Sequence, residues 1–275
     1  MTTLTAKAPL APAAGPGKSR RTVTALSRMV PAVLLMLAVL VLWEGLTRLM
    51  AVPIFVLPPP SSILAVLIER QPALLKAAWV TGEEVLYGFV LSSILGVLLA
   101  LLIARYDRFG EALYPLMVLF QNVPKIALAP LFILWFGYDL FPKIALIVVI
   151  AFFPIALNML VGLRSADPNL VALLRSVGAS RNEIMARVQI PNALPYLMAG
   201  MKVAITLSVI GAIVGEFAGA SAGLGYMIQF ASTQMETSLV FAALVEVSVL
   251  GVLFYYAVEL LERRYITWAP NTRVG

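Results

Sequence analysis

The stretch RSVGASRNEIMARVQIPNALP, Arg175–Pro195, is a polar segment within a strongly apolar chain. It carries three arginines, one glutamate, two asparagines and one glutamine. The apolar runs on either side, Ile144–Leu163 and Leu194–Ala218, are each long enough to cross a bilayer. Because charged side chains are costly at membrane depth, we expect most of this stretch to form a loop outside the bilayer between two membrane helices.

The whole chain has the composition of a membrane protein. Of its 275 residues, 61% are hydrophobic and 12% are charged, whereas soluble domains carry roughly 25% charged residues. The chain contains no cysteine and no histidine, which excludes thiol chemistry, disulfides, His-ligated metals and serine–histidine catalysis. We predict no catalytic residue and no metal site. The net charge of +6 indicates a basic cytoplasmic face and not nucleic-acid binding.

Six apolar runs reach the ~20 residues that a membrane-spanning helix requires. They are Val30–Met50, Val85–Ala104, Ala112–Phe136, Ile144–Leu163, Leu194–Ala218 and Leu239–Leu261. The runs are continuously apolar and do not alternate with polar residues, which favours helices over a β-barrel. We therefore predict an all-α, multi-pass membrane protein with six transmembrane helices.

The chain divides into a membrane domain, residues 30–262, and two polar ends, residues 1–29 and 263–275. Residues 1–29 are rich in Ala, Pro, Ser, Thr and basic residues, which predicts a disordered tail. The tail contains GPGKS, but Pro12 replaces the first glycine of a phosphate-binding loop, so we expect no nucleotide binding. The first apolar run is longer than the ~7–15 residues of a signal peptide, which predicts an uncleaved membrane helix.

Lysine and arginine are distributed unevenly among the connections. With the N-terminus inside, fourteen of these residues lie in cytoplasmic segments, and three, Arg70, Lys76 and Lys143, lie in outside connections. Cytoplasmic connections are enriched in basic residues, so we predict that both termini are cytoplasmic. The loop of residues 164–193, between spans four and five, is then cytoplasmic as well.

This loop has the pattern of two short amphipathic helices. The apolar face of the first is formed by Leu170, Leu173, Leu174 and Val177. Gly178 follows as a helix stop, and Ser180 with Glu183 forms a capping box for the second helix.

The apolar face of the second helix is formed by Ile184, Met185 and Val188. Because the residue before a proline disfavours helix, we expect the second helix to end at Ile190–Pro191. Such a hairpin either lies on the membrane surface or docks a soluble partner.

The segment VALLRSVGASRNEIMARVQIPNALPYLMAGMKVAI, Val171–Ile205, resembles the EAA loop of ABC importer permeases. That pattern is Glu-Ala-Ala, three residues, Gly, nine residues, Ile, one residue, Leu-Pro. Gly178 stands at the glycine, Val188 at the isoleucine and Ile190–Pro191 at Leu-Pro. The chain departs from the pattern at Ala172, where the family has glutamate.

Four more stretches resemble permeases of the nitrate, taurine and alkanesulfonate type. They are LPPPSSI (57–63), LAPLFILWFG (128–137), AFFPIALN (151–158) and GEFAGASAGLGYMI (215–228). Together with the loop they cover most of residues 50–262. The resemblance implies a small polar or anionic organic solute such as a sulfonate, taurine or nitrate. A vitamin precursor such as a pyrimidine is the alternative.

The resemblance also implies the partners of this chain in the bacterial inner membrane. They are a second permease copy in a homodimer, two copies of a cytoplasmic ATPase subunit that bind ATP and Mg, an extracytoplasmic solute-binding protein, and membrane lipid. This chain itself would be a non-catalytic transport subunit without a cofactor. The residues implied in coupling to the ATPase are Ala172, Gly178, Ala179, Ser180, Glu183, Arg187, Ile190 and Pro191.

Polar residues at membrane depth are candidates for a substrate pathway. The third span is interrupted by QNVPK, where Pro124 is expected to break the helix. The pathway candidates are Gln121, Asn122, Lys125, Asn158, Ser208 and Glu216, with Lys202 as a further intramembrane charge. For Lys125 the alternatives are snorkelling and a structural ion pair with Glu216 or Glu246.

Two outer segments are expected to form short helices. Residues Leu224–Phe230 follow a run of small residues, Gly211–Gly225, which favours close helix packing either across a dimer or within the chain. In the connection Ala51–Ala78, Ser61 or Ser62 is expected to cap an amphipathic helix that extends through Arg70. That helix either lies flat at the interface or contacts a solute-binding protein.

Two other classes of membrane protein fit the sequence less well. An ion-driven secondary transporter usually shows repeats in its two halves and an acidic ion site; no convincing repeat is present, and the EAA-like loop has no role in such a protein. An intramembrane enzyme is disfavoured by the lack of His, Cys and paired catalytic carboxylates.

Overall fold

The computed structural model describes residues 18–268, with side chains from residue 30 onward except those of residues 107–109, 111, 114 and 118. Within residues 18–268 the chain is helical and contains no β-strand, which confirms the predicted fold class. The helices are α1 Lys18–Leu49, α2 Pro60–Glu69, α3 Gln71–Arg105, α4 Asp107–Gln121, α5 Ala129–Phe136, α6 Leu140–Arg164, α7 Pro168–Ser176, α8 Arg181–Ile184, α9 Ile190–Gly219, α10 Leu224–Thr233 and α11 Thr237–Tyr265.

Five helices of the described range are long and apolar enough to cross a membrane. They are the Val30–Leu49 part of α1, then α3, α6, α9 together with the segment that precedes it, and α11. The sixth predicted span is a broken pair, Pro115–Gln121 and Lys125–Phe136, whose axes differ by 78°. A short 3-10 turn, Lys125–Leu128, follows Pro124 at the break. The predicted break at Pro124 is confirmed, because proline lacks the N–H that would continue the helix.

The first helix begins earlier than predicted. α1 starts at Lys18, so the segment 18–29, predicted as part of a disordered tail, is helical. It contains neither proline nor glycine, and so nothing interrupts a helix that the following apolar run stabilises. Residues 1–17, with most of the GPGKS motif, lie outside the described residues, as do residues 269–275. In the membrane-spanning part of α1 only 6% of the residues are buried, as for a helix that faces lipid.

Helix α6 forms the centre of the bundle, between α3 and α9. Half of its spanning window is buried, and Leu146, Ile147 and Ile155 are fully covered. Gly88 of α3 permits the close approach, because a Cβ there would lie 2.4 Å from the side chain of Ile147. The small residues of α9 also pack against α6 of the same chain. At Gly211, for example, the nearest neighbours are Ile147 and Ile150.

The connections collect at two ends of the bundle. At one, which we call the α10 end, α2 and α10 lie beside the start of α11: Thr237 Oγ1 donates to the carbonyl of Phe55 at 2.6 Å, and Arg70 pairs with Glu236 at 3.8 Å. At the other, the α7 end, lie α7, α8 and the ends of α3 and α6.

Helix α2 confirms the predicted short helix, but the predicted serine cap is wrong. The N-cap residue is Pro59 and makes no side-chain cap. Ser61 Oγ instead donates to Glu44 Oε1 at 2.8 Å, and Ser62 Oγ donates to the carbonyl of Pro59 at 2.9 Å. Proline at the first helical position needs no donor partner, so the helix starts there without a capping side chain. Beyond Arg70 the chain continues directly into α3, which begins fourteen residues before the predicted span.

Candidate functional site

The loop at the α7 end is built from residues with well-defined capping roles. The Asp167 carboxylate accepts from the N–H of Asn169 at 2.8 Å and starts α7. At the other end Gly178 has φ +86°, and its N–H donates to the carbonyl of Arg175 at 3.0 Å. The N–H of Ala179 donates to the carbonyl of Leu174 at 2.9 Å. This pair of bonds is a Schellman motif, which confirms the predicted helix stop at glycine.

The second helix begins with the predicted capping box. Ser180 Oγ accepts from the N–H of Glu183 at 3.3 Å, and Glu183 Oε2 accepts from the N–H of Ser180 at 2.8 Å. On its predicted apolar face, Ile184 is buried and Met185 and Val188 are half-buried. α8 is therefore held against the bundle.

The predicted end of this helix at Ile190–Pro191 is wrong. The backbone continues through one π-helical turn, Met185–Gln189, directly into α9. In that turn the N–H of Ile190 donates to the carbonyl of Met185. Proline lacks an N–H and crowds the carbonyl four residues earlier, here that of Arg187. The wider π turn accommodates the ring without ending the helix.

The loop is attached to the membrane helices through specific polar contacts. Arg181 Nη2 donates to the carbonyl of Ala104 at the end of α3 (3.3 Å). Asn192 Nδ2 donates both to the carbonyl of Gly162 and to Ser165 Oγ, each at 2.9 Å. A cavity of about 420 Å³ between the loop and the helix ends is lined in part by Arg164, Arg175 and Arg181. The loop can therefore transmit a displacement to α3, α6 and α9.

The first loop helix, in contrast, exposes its predicted apolar face. Leu173 is 60% exposed and Val177 is 72% exposed, and Leu170 is also exposed. Of the predicted coupling residues, Ala172, Gly178, Ser180, Glu183 and Arg187 are exposed, and Ala179, Ile190 and Pro191 are half-buried. The loop thus combines a fixed element, α8, with a helix whose predicted apolar face is largely exposed, since of its four residues only Leu174 is half-buried.

The pathway candidates around the broken span lie together only in part. Lys125 Nζ donates to the carbonyl of Gln121 at 3.4 Å and lies 4.9 Å from the centre of the Phe153 ring on α6. The alternative ion pair of Lys125 with Glu216 is wrong, since Glu216 is buried among other partners. Gln121 and Asn122 are exposed at the break.

The pathway candidates Asn158 and Ser208 bond within their own helices, and the further charge Lys202 pairs with α11. Asn158 Nδ2 donates to the carbonyl of Pro154 at 2.8 Å, and Ser208 Oγ donates to that of Ala204 at 2.8 Å. Ser208 is fully buried. Lys202 forms an ion pair with Glu262. Lys125 thus differs from Lys202 in forming no ion pair among the described residues.

Glu216 belongs to a buried polar cluster near the α10 end. Its Oε1 accepts from Thr81 Oγ1 at 2.7 Å, and its Oε2 accepts from the N–H groups of Gly225 and Tyr226. Thr81 Oγ1 in turn accepts from the N–H of Leu224 at 2.9 Å. The carboxylate therefore satisfies the first N–H groups of α10, which a helix leaves without partners of its own.

A second pair of charges, which sequence reasoning missed, completes this cluster. Lys143 Nζ donates to Glu84 Oε1 at 2.5 Å, and both residues are buried. Lys143, predicted to lie in an outside connection, stands in the first turn of α6 instead. Glu84 and Lys143 each stand directly before a predicted apolar run, which begins at Val85 and at Ile144. A charge directly bordering a long apolar run was the only signal available in the sequence.

Among the described residues, no group of three or more His, Cys, Asp or Glu side chains is arranged to hold a metal ion.

Three comparisons with known proteins give the chain a family. The family described as binding-protein-dependent transport system inner membrane component matches residues 92–267. The formylaminopyrimidine transport permease protein ThiX of Halalkalibacterium halodurans is 38% identical over 236 residues, which cover 86% of this chain and 94% of that protein. The putative aliphatic sulfonates transport permease protein SsuC of Bacillus subtilis is 32% identical over 237 residues, 86% of each chain.

A solved structure with a similar fold is an inward-facing MetNI methionine ABC transporter. It has a TM-score of 0.59 at 22% identity and covers 71% of this chain and 97% of that one. At this identity the likeness concerns the fold alone. The family match and the two relatives show that the chain belongs to the inner-membrane permease components of binding-protein-dependent ABC importers, which are the non-catalytic membrane subunits of these systems.

Proposed function

We propose that this chain carries a small polar or anionic organic solute into the cytoplasm, driven by a separate ATPase that docks on the loop formed by α7 and α8. Two ATPase copies would bind ATP and Mg, and a solute-binding protein would deliver the solute at the α10 end to a homodimer of this chain. Both termini and the loop would then be cytoplasmic. The observation that carries the proposal is the uncovered apolar face of α7, on a loop that is otherwise capped and tied to the bundle.

The exposure of α7 supports a protein partner. Leu173 and Val177 together leave well over half of their side-chain surface in contact with solvent, and burying one such side chain contributes about 1.5–3 kcal/mol. Arg175 lies between them in the sequence, in the last turn of α7; Arg181 begins α8 and Arg187 lies in the π turn that follows. A groove with an apolar floor and acidic or carbonyl groups at its rim would match this pattern. A passive hairpin on the membrane surface is the competing outcome.

The stiffness of the loop supports its role in coupling. Both of its helices are capped, and Gly178 sets a fixed turn between them. Arg181 and Asn192 join the loop to the ends of α3 and α6. Because α8 continues through the π turn into α9, a displacement of the loop acts directly on a membrane helix.

The test is the double substitution Leu173→Glu with Val177→Glu, in the complete transporter. We expect normal amounts of permease in the membrane, weak co-purification of the ATPase, and loss of solute-stimulated ATP hydrolysis. The matched control is Leu134→Glu with Trp135→Glu, an equally exposed apolar pair on α5. It should lower the amount of permease in the membrane and leave ATPase binding per inserted permease unchanged. Wild-type ATPase binding and hydrolysis in the α7 variant would reduce the loop to a passive surface hairpin.

The two relatives suggest candidates for the solute. The sulfonate relative supports a sulfonate-type anion. The formylaminopyrimidine relative, which has the higher identity of the two, supports a pyrimidine as the alternative solute. Uptake of labelled taurine, an alkanesulfonate and formylaminopyrimidine by cells that express the complete system separates the two. Uptake of none of them, with ATPase coupling intact, would place the solute outside both classes.

A further inference from the structure

Two carboxyl groups and one ammonium group meet in the interior between α3, α6 and α9. Glu84 is 1% exposed, Glu216 is 0% exposed and Lys143 is 8% exposed. Lys143 Nζ donates to Glu84 Oε1. Thr81, one helical turn before Glu84 on α3, donates to Glu216 Oε1 at 2.7 Å, and Lys143 packs against Gly215, the residue before Glu216, so the three charged groups belong to one buried cluster. If both carboxyl groups were ionised, the cluster would carry a net negative charge in a region with almost no access to solvent.

The hydrogen bonds of the two glutamates are unequal. Glu216 accepts from Thr81 and from two backbone N–H groups of α10, a set that stabilises an ionised carboxylate. Glu84 accepts only from Lys143, and its buried Oε2 has no donor among the described residues. An ionised Glu84 would therefore leave a charged oxygen buried without a donor, which is energetically costly.

We propose that the cluster of Glu84, Glu216 and Lys143 holds one buried proton, which resides on Glu84 Oε2. Lys143 balances the remaining negative charge, so the occupied cluster is neutral. Protonation removes the charge from the unpartnered oxygen and the repulsion between two buried carboxylates. The site is independent of how α7 binds its partner.

The other titratable groups of the neighbouring elements do not complete the charge balance. On α10, Tyr226 contributes its backbone N–H. On α11, Glu246 is half-buried and forms no hydrogen bond or ion pair with the cluster among the described residues. On α3, Glu83 points to the exposed side, where it accepts from Trp79 Nε1 at 2.9 Å. Lys143 is thus the cation of the cluster, and one proton is required.

The site connects the proton to the position of α10. The turn between α9 and α10 is shaped around the Glu216 carboxylate: Gly223 has φ +111°, and a Cβ there would lie 2.2 Å from Glu216 Oε1. Loss of the proton would leave an uncompensated charge directly beneath the start of α10. Because the folded protein binds a proton that the unfolded chain releases more readily, its stability should fall as the pH rises.

The test is infrared spectroscopy of the full-length permease in lipid nanodiscs, together with thermal unfolding at neutral and alkaline pH. The wild type should show the C=O stretching band of a buried protonated carboxyl group, and Glu84→Gln should lose it. Glu84→Gln should also unfold at nearly the same temperature at both pH values, since the amide replaces the protonated acid. The control Glu83→Gln should retain the band and the alkaline sensitivity.

Glu216→Gln provides a second variant in case Glu84→Gln does not fold. With Glu216 neutral, Lys143 alone balances an ionised Glu84, so the band should again disappear. Absence of the band from the wild type at neutral pH, or its persistence in both variants, would overturn the proposal. An alkaline sensitivity in Glu84→Gln equal to that of the wild type would do the same.

Discussion

At the scale of single residues, Lys125 differs from the other intramembrane cations in how it is held. Lys143 and Lys202 each pair with a glutamate. Lys125 instead rests over the ring of Phe153 and donates to a backbone carbonyl at 3.4 Å, contacts that leave its charge available. It stands at the start of the 3-10 turn within the broken span. A cation held in this way suits transient contact with a polar or anionic solute better than a structural role.

We therefore expect Lys125→Ala to reduce solute uptake at least tenfold without reducing the amount of folded permease. Removing a charge from membrane depth favours insertion by ~2.5 kcal/mol, so a folding defect is not the expected cause. The measurement is uptake normalised to permease purified from the membrane. Lys125→Arg keeps the positive charge and should retain most of the uptake. Wild-type uptake by the alanine variant would assign Lys125 a structural role.

Gly178 shows which residue-scale features the sequence allows one to predict. Its helix stop, and the capping box of Ser180 and Glu183, depend on neighbours within a few positions, and the structure confirms both. The pairing of Lys143 with Glu84 joins residues 59 positions apart. Local patterns carry no information about such a contact, so the sequence predicted Glu216 as a pathway candidate or a partner of Lys125 and missed its contacts with Thr81 and α10.

At the scale of elements, the main differences from expectation lie where proline meets a helix. Pro124 breaks the third span as predicted. Pro191 was expected to end a helix, yet there the chain forms one π turn and continues. The difference depends on what surrounds each proline: the residues before Pro191 are anchored by the buried Ile184, whereas Gln121 and Asn122 before Pro124 are exposed. Tertiary packing decides between a kink and a continuous helix, and a single sequence does not show it.

Helix α10 is an element whose position depends on one carboxylate, and this leads to a prediction. Gly225→Ala adds a Cβ 2.8 Å from Glu216 Oε2 and 2.9 Å from the carbonyl of Ile213. Since backbone atoms cannot move aside cheaply, we expect the thermal unfolding temperature to fall by several degrees, for a loss of about 1–3 kcal/mol.

The matched control is Gly251→Ala in α11, where a Cβ meets nothing within 4 Å. A helical glycine replaced by alanine in open space stabilises the fold by about 0.5–1 kcal/mol, so this variant should unfold at the same temperature or slightly higher. If Gly225→Ala and Gly251→Ala behave alike, the tight contact between α10 and Glu216 does not determine the stability of this end.

At the scale of the whole molecule, the number and order of the spans were predictable, because a bilayer imposes a length on every crossing. Five spans and one broken pair occur where six apolar runs were identified. The ends of the helices were less predictable. α1 and α3 extend well beyond their apolar runs, because polar residues at the ends of a membrane helix remain helical where their neighbours pack.

Orientation is the property of the whole molecule that the proposed mechanism requires. The α7 end carries Arg105, Arg164, Arg175, Arg181 and Arg187. Lys143 is buried with Glu84, so Arg70 and Lys76 are the basic residues that remain for the predicted outside connections. The difference in the number of basic residues between the two ends is therefore larger than the sequence alone suggested. Because basic connections remain in the cytoplasm, we predict that the α7 end lies inside and the α10 end outside.

Reporter fusions test this orientation directly. A cytoplasmic reporter inserted between Asp167 and Pro168, or fused after the last residue, should be active, and the same reporter fused after Thr233 at the end of α10 should be inactive. A periplasmic reporter at the three positions should show the reverse pattern. Because α7 can meet an ATP-driven partner only in the cytoplasm, where ATP is available, a periplasmic signal at Asp167 would refute both the orientation and the proposed coupling. An inactive C-terminal reporter combined with an active one at Asp167 would instead indicate an odd number of crossings between the two points, so that the stretch from α9 to α11 would not cross the membrane twice.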